Sequence, residues 1–317
     1  MGQHICIIGG SGFVGRAIAR QAIAAGHRVT VGCRHPERAR DMLVDGVRLV
    51  KIDVVDGRGI DEAMSGCDAV IYLVGLLFER GRYSFQAAHV DGVEHALAAA
   101  KRAGVGQFLH MSALGAGDVA DSRYATTKGE AEGRVRASGL NWTIFRPSII
   151  YGAGDSFFNK FKAMSASLPV LPVISGETRF QPVWVEDVAR AFVAAIGNRH
   201  VSGQCYALGG PATYSLQQLL QMMLAELGRE RMLLPLPGAA AGLLATVGSF
   251  LPTPPLTRDQ LVLLGHDNVV AGEAFPALFG QAARLEDVLP TFIGGNQADT
   301  LQQQMDLSRR RYRKGGI

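Results

Sequence analysis

The stretch Ile7-Ile8-Gly9-Gly10-Ser11-Gly12-Phe13-Val14-Gly15-Arg16 joins a β-branched run to a helical period and contains both G-x-x-G-x-x-G and G-x-G-x-x-G. Glycines at this spacing let the chain turn tightly, let a pyrophosphate approach the backbone and let the helix pack close on the strand, while the helix N-terminus attracts phosphate charge. Gly9, Gly10, Ser11, Gly12, Phe13, Val14 and Gly15 are therefore the candidate phosphate loop of a dinucleotide site. An acid that binds the ribose 2′-hydroxyl of NAD belongs at the end of the second strand, about 20 residues on. Here that place reads Val31-Gly32-Cys33-Arg34-His35, with Cys33 at the acid's position. Arg34, and Arg38 a turn later, offer charge-assisted donors to a 2′-phosphate, so NADP(H) is favoured and NAD(H) is the second candidate. Asp53, followed by Val54, ends the third strand where it can meet the adenine edge; Val74-Gly75 after the fourth lets the chain pass close to a ribose. Finally, Tyr124-Ala125-Thr126-Thr127-Lys128 sets a phenol and an ammonium four residues apart, one turn on the same helix face.

These groups fall at strand ends and helix starts, so the elements must gather those ends together. Ile5 to Ile8 reads as a strand, followed by a helix ending at Gly26; Arg28 to Val31 reads as the next strand, followed by a helix opened by Pro36. Val47 to Ile52, Ala69 to Val74 and Gln107 to Met111 continue as strands, and the longest helical segment, Tyr83 to Ala103, stops at Gly104. Trp142 to Ile144 and Cys205 to Leu208 are later strands, and Ser215 with Gln218 forms a capping box opening a helix that ends at Gly228. Such alternation predicts an α/β fold, a Rossmann-type doubly wound parallel sheet with helices on both faces. After Met232 the composition turns to Leu, Pro, Ala and Gly. This predicts an NAD(P)-binding core over residues 1–230 and a smaller, mostly helical C-terminal subdomain over 231–317, where substrate or partner would meet the core.

Composition narrows the classes. With 48% hydrophobic and 19% charged residues over 317 positions, the chain can bury a large core and is neither a disordered tail nor a coiled coil. Its net charge of +4 is local: Arg309, Arg310, Arg311, Arg313 and Lys314 lie in the last ten residues without an acid, which leaves −1 for the rest. A broad basic face of the kind that binds nucleic acid is thus not expected. The four cysteines have no C-x-x-C spacing and read as reduced core residues, and the 8 histidines are dispersed, so no metal site is expected. Met1 to Gly10 has no cationic stretch ahead of its apolar run, which points to a cytoplasmic protein rather than a secreted one. Prolines break the uncharged stretch from Met232 to Thr257, leaving about 14 residues between Pro237 and Pro252, where a spanning helix needs roughly 20. That segment and the cationic tail suggest peripheral docking, on the inner face of an anionic membrane or on a membrane complex.

Glycine loop, Y-x-x-x-K and parallel sheet together resemble the short-chain dehydrogenase/reductase superfamily, extended or atypical branch, over residues 1 to about 230. The resemblance implies that Lys128 holds the nicotinamide ribose and lowers the pKa of Tyr124, whose phenol exchanges a proton with a carbonyl or alcohol during hydride transfer. It further implies a catalytic Ser or Thr just after the fifth strand. In Phe108-Leu109-His110-Met111-Ser112-Ala113-Leu114-Gly115 that position falls on Ala113, with Ser112 as the substitute one residue earlier. Pro147 and Ser148 would complete the cofactor site. Arg146-Pro147-Ser148-Ile149-Ile150-Tyr151-Gly152, Asp155-Ser156-Phe157-Phe158-Asn159, Pro182-Val183-Trp184-Val185-Glu186-Asp187-Val188-Ala189 and the run Leu256-Thr257-Arg258-Asp259-Gln260 to Asp267-Asn268-Val269-Val270 are similar to a narrower group. These are bacterial relatives of the nucleotide-binding alpha-subcomplex accessory subunit of respiratory complex I, NADH:ubiquinone oxidoreductase. This resemblance implies a protein that holds NADPH tightly in a structural or regulatory role near quinone-linked membrane machinery. Two alternatives stay open: a free NADPH-dependent reductase or nucleotide-sugar epimerase/dehydratase, and an NADP redox sensor without catalysis. Ala113 favours the first and last readings, whereas the Tyr124–Lys128 pair favours the free enzyme.

Overall fold

In the computed structural model, which describes residues 2–236, 242 and 256–294, Ile5 and Ile7 of β1 (His4–Ile8) turn to one face of a sheet and Cys6 and Ile8 to the other; all four are fully buried. A strand apolar on both sides must be covered on both sides. The first face packs on α1 (Phe13–Ala24) and a later helix, Val185–Ala195, through Ile18, Ala22, Val188 and Phe192. The second packs on α2 (Ile60–Met64), α3 (Gly92–Arg102) and α4 (Arg123–Arg136) through Met64, Val93, Leu97, Ala131 and Val135.

The other strands are β2 (Arg28–Cys33), β3 (Arg48–Lys51), β4 (Ala69–Tyr72), β5 (Gln107–Met111), β6 (Trp142–Pro147) and a seventh, Gln204–Leu208. Every pairing is parallel, and the order is β3-β2-β1-β4-β5-β6 with the seventh strand outside β6. The chain leaves β1 toward β2 and later returns to β4 on its other side. Strand order reverses there, the switch point at which the loops leaving a doubly wound sheet diverge and a ligand crevice forms at the strand ends. This is the doubly wound α/β fold that the alternation predicts.

Three stretches depart from the sequence expectation. The helix expected at Pro36 is two short 3₁₀ turns, Pro36–Arg38 and Arg40–Leu43, because only Ala39 and Met42 of that stretch find a core to pack on. The long segment before Gly104 opens as a π-helical turn, Gln86–Asp91, before becoming α3. Gly92 sits at the junction, where a Cβ would lie 2.6 Å from the Tyr72 hydroxyl. Met232–Pro235 is a strand, paired in parallel with Val170–Val173. The C-terminal described residues supply the helices Arg258–Leu264 and Leu285–Ile293. Leu285, Leu289 and Phe292 join a third cluster with Tyr151, Phe158 and the capping-box helix Leu216–Glu226. All four cysteines are free; Cys205 is exposed, the other three buried. Among the described residues no helix is long and apolar enough to cross a membrane. The uncharged stretch Gly238–Leu251, apart from Gly242, and the cationic tail lie outside the described residues.

Candidate active site

The loop Gly9–Gly15 crosses the mouth of the crevice. Gly9 has φ +83°, a left-handed conformation that side chains rarely adopt, and its N–H donates to Gly32 O at 2.9 Å. A Cβ on Gly15 would lie 2.4 Å from Gly10 Cα, so α1 can approach the end of β1 only with glycine at both positions. Gly12 caps α1 without a side-chain bond, and the first turn holds no acid. Its first turn thus brings no carboxylate of its own to the leading N–H groups and the positive end of the helix dipole, which are the donor set that a pyrophosphate requires.

At the end of β2, Cys33 is buried beside the Ser11 hydroxyl, and Arg34 and Arg38 are exposed. The neighbouring acid, Glu37, is paired with His35 at 3.0 Å. The Arg34 guanidinium lies over the Tyr83 ring, 4.7 Å from its centroid. Asp53 is already engaged: it accepts from the Tyr83 hydroxyl at 2.8 Å, from Arg82 and from Val55 N–H at 3.1 Å. The expected adenine contact at Asp53 thus competes with an ion pair in this arrangement. Val54 is buried against Gly92, while Val74 is half-buried and Gly75 exposed, with nothing within 4 Å of the position a Cβ would take.

Tyr124 opens α4 and is clasped by Phe85 and His89, whose rings meet it edge-on at centroid distances of 5.8 and 5.3 Å. His89 is buried, and its tautomer follows from its neighbours. Leu76 N–H donates to Nε2 at 3.1 Å, so Nδ1 carries the proton and donates to Thr127 Oγ1 at 2.9 Å. The Thr127 hydroxyl donates in turn to Arg123 O at 2.8 Å. This chain ties the loop after β4 to the first turns of α4. Burial, and secondarily the Lys128 ammonium, push the His89 pKa down to about 3, so the ring is neutral.

Lys128 is buried on the same face of α4, and its ammonium donates to Met111 O at 2.7 Å. Burial lowers its pKa to about 8, the Glu132 carboxylate opposing the shift. The Tyr124 phenol moves the other way, up to about 12, through burial and then the Asp259 carboxylate. Here the structure differs from what the superfamily resemblance implies: the lysine's charge is directed at a carbonyl, and the phenol is stabilised in its protonated form. Ser112 is also placed otherwise. Its hydroxyl is buried against the Glu132 carboxylate, outside hydrogen-bonding geometry, two turns along α4 from Tyr124. Glu132 is itself buried; burial would raise its pKa, but Arg146, bonding both oxygens at 2.7 Å, and Arg136 at 2.8 Å hold it below the usual range. Pro147 ends β6, and the Ser148 hydroxyl donates to Asn268 at 2.7 Å rather than facing the crevice unengaged.

The model of the NAD(P)H-binding family matches residues 9–199. The chain belongs to that family. Within it, the protein is 31% identical over 329 residues to the NADH dehydrogenase [ubiquinone] 1 alpha subcomplex subunit 9 of Arabidopsis thaliana, covering 98% of this chain and 78% of the relative. It is 34% identical over 195 residues to the ceramide reductase of Caulobacter vibrioides, covering 60% of each. Among solved structures, the NADPH-dependent quinone oxidoreductase of Escherichia coli with NADPH superposes with a TM-score of 0.73 at 20% identity, over 90% of this chain and 99% of that one. This last likeness is one of fold. The glycine loop and the Tyr124–Lys128 pair both fall within the matched residues. His89, Thr127, Tyr83, Arg82 and Asp259 surround the site without having been singled out from the sequence as site residues. Only the run around Asp259 carried any signal, as part of the narrower resemblance.

Proposed function

We propose that this family member holds NADP(H) in the crevice between β1 and β4 as a tightly bound group, in an accessory or assembly role linked to NADH:quinone oxidoreductase or quinone metabolism. The end of β2 carries the choice of cofactor: Cys33 in place of an acid, followed by exposed Arg34 and Arg38, suits a 2′-phosphate and gives a 2′-hydroxyl no carboxylate. In this reading Gly9, Gly10, Ser11, Gly12, Phe13, Val14 and Gly15 bind the pyrophosphate, Val54, Val74 and Gly75 border the adenosine half, and Lys128, Pro147 and Ser148 border the nicotinamide half. Bound NADP(H) supplies a hydride donor or acceptor. What the chain adds supports holding more than turnover. Ala113 offers no hydroxyl to a substrate oxygen, Ser112 is turned to Glu132, and Lys128 is spent on Met111 O. The relative of highest coverage reported above is named as a subunit of a respiratory complex. Residues 231–317 are then the part that meets a partner, with the cationic tail suited to an anionic membrane surface.

Mass spectrometry of the purified protein for co-eluting nucleotide, with a pull-down from membranes, tests this reading. Expected are NADP(H) in near-stoichiometric amount and respiratory-complex subunits in the eluate; a nucleotide-free protein that binds neither cofactor overturns it. One observation favours a second reading, a slow free reductase. Tyr124 and Lys128 share one face of α4 at the crevice, and a phenol protonated at neutral pH is a competent acid toward a carbonyl oxygen. Tyr124→Phe should then abolish carbonyl reduction while cofactor stays bound, and Ala113→Ser should raise the rate.

A further inference from the structure

A carboxylate from far along the chain closes the N-terminus of α4. The first N–H groups of a helix have no partners within it, and in α4 each finds one. Ser122 Oγ accepts from Ala125 N–H at 3.1 Å, and Thr126 N–H starts the helical ladder on Ser122 O at 2.9 Å. The remaining two go to Asp259, whose Oδ1 accepts from Arg123 N–H at 2.7 Å and Tyr124 N–H at 3.3 Å. Its Oδ2 accepts the Ser122 hydroxyl at 3.0 Å. The first turn of α4 contains no acid, so Asp259 is the negative charge that the helix dipole meets.

Asp259 is fixed in turn. It lies in the helix Arg258–Leu264, opened by a capping box in which Gln260 N–H donates to Thr257 Oγ1 at 3.2 Å and Thr257 N–H to Gln260 Oε1 at 3.1 Å. Gln260 Nε2 donates to Leu77 O at 3.2 Å, in the loop after β4, and the Thr178 hydroxyl donates to Leu264 O at 2.5 Å. One short helix thus grips both the start of α4 and the loop across the crevice.

We infer that Asp259 is a positioning residue for Tyr124: it locks the first turn of α4 against the loop after β4 and presents a negative charge to the phenol. The inference rests on the reading of Tyr124 and Lys128 as the pair at the nicotinamide end. Charged and titratable groups face Tyr124 from each element packed on it: His89 from the π turn, Lys128 from α4 itself and Asp259 from the C-terminal helix, with the Arg123–Glu79 pair at the rim. Of these, His89 is neutral and Lys128 is turned to Met111 O, which leaves Asp259 as the charge that reinforces burial in keeping the phenol protonated.

The test uses the full-length protein labelled at tyrosine Cζ, with the Tyr124 signal assigned by its loss in Tyr124→Phe and followed upward from about pH 9. Asp259→Asn, which keeps an acceptor oxygen and loses the charge, should move the phenol midpoint down from about 12, and Asp259→Glu should move it back up. Asp259→Ala should speed hydrogen exchange at the Arg123 and Tyr124 amides by about tenfold or more, the loss expected for a charge-assisted bond. A phenol midpoint unmoved by Asn, or amide exchange unmoved by Ala, overturns the assignment. NADPH titration of the wild type and Asp259→Asn separates the two ideas. Failure of the wild type to bind overturns the cofactor reading and leaves the coupling of Asp259 to Tyr124 standing on the spectra alone.

Discussion

Arg34 follows Cys33 at the end of β2, where on the proposed reading one side chain decides between two cofactors. Its guanidinium is exposed and stacked on Tyr83, so an incoming 2′-phosphate would meet it at the surface. A charge-assisted contact of this kind is worth about 1.5–3 kcal/mol. Arg34→Ala should therefore weaken NADPH binding by about tenfold to a hundredfold and leave NADH nearly unchanged, as read by fluorescence titration; equal losses for both would remove Arg34 from the phosphate site. The place of Cys33 and Arg34 at the end of β2 was legible from the sequence because it depends only on distance along the chain from the glycine loop. His89 and Asp259 were not, since each acquires its role from a partner on another element: Thr127 for the one, the α4 N-terminus for the other.

At the scale of elements, glycines with opposite meanings make the contrast. Gly15 on α1 packs against the backbone of Gly10, where an added Cβ would lie 2.4 Å from Cα and 2.6 Å from the carbonyl oxygen. Backbone cannot swing aside as a side chain can, so Gly15→Ala should open the cradle, lower the melting temperature and abolish nucleotide binding. Gly133, in the third turn of α4, is exposed with nothing within 4 Å of a Cβ. Gly133→Ala should stabilise the protein by about 0.5–1 kcal/mol through the helix propensity of alanine, with nucleotide affinity unchanged, as measured by urea denaturation and titration. The first glycine was legible as part of a spaced motif. The second carries no pattern at all, and its status as mere surface is visible only once the packing of α4 is known. The same limit explains the missed strand Met232–Pro235: two of its four residues stay exposed leucine and methionine, and its existence rests on pairing with Val170–Val173, some 60 positions away.

For the molecule as a whole, the buried sheet was readable because continuous apolar runs demand cover on both faces, whereas the way residues 256–294 strap onto the core was not, being written in hydrogen bonds such as Ser148–Asn268 and Val270–Gln181. The buried core also holds two imidazoles, and these set how the protein should respond to acid. His89 has both ring nitrogens bonded and stays neutral down to about pH 3; His110 is fully buried beside Tyr72, with neither nitrogen bonded, and burial holds its pKa well below the ordinary value. In the unfolded chain each would bind a proton below about pH 6.5. Between that value and the folded one the unfolded state binds more protons, so stability is present above about pH 6.5 and is lost as pH falls. At about pH 5 each histidine kept neutral costs roughly 2 kcal/mol relative to about pH 7.5, one pH unit being worth about 1.4 kcal/mol once the unfolded group is protonated. His110→Leu, close in volume, removes one of the two penalties and also the desolvation of two unpartnered nitrogens. Urea denaturation at both pH values should show the variant losing about 2 kcal/mol less than the wild type on acidification, with no loss at about pH 7.5. An unchanged acid dependence would mean that His110 takes up its proton inside the fold, and that the pocket beside Lys128 is wetter than its burial implies.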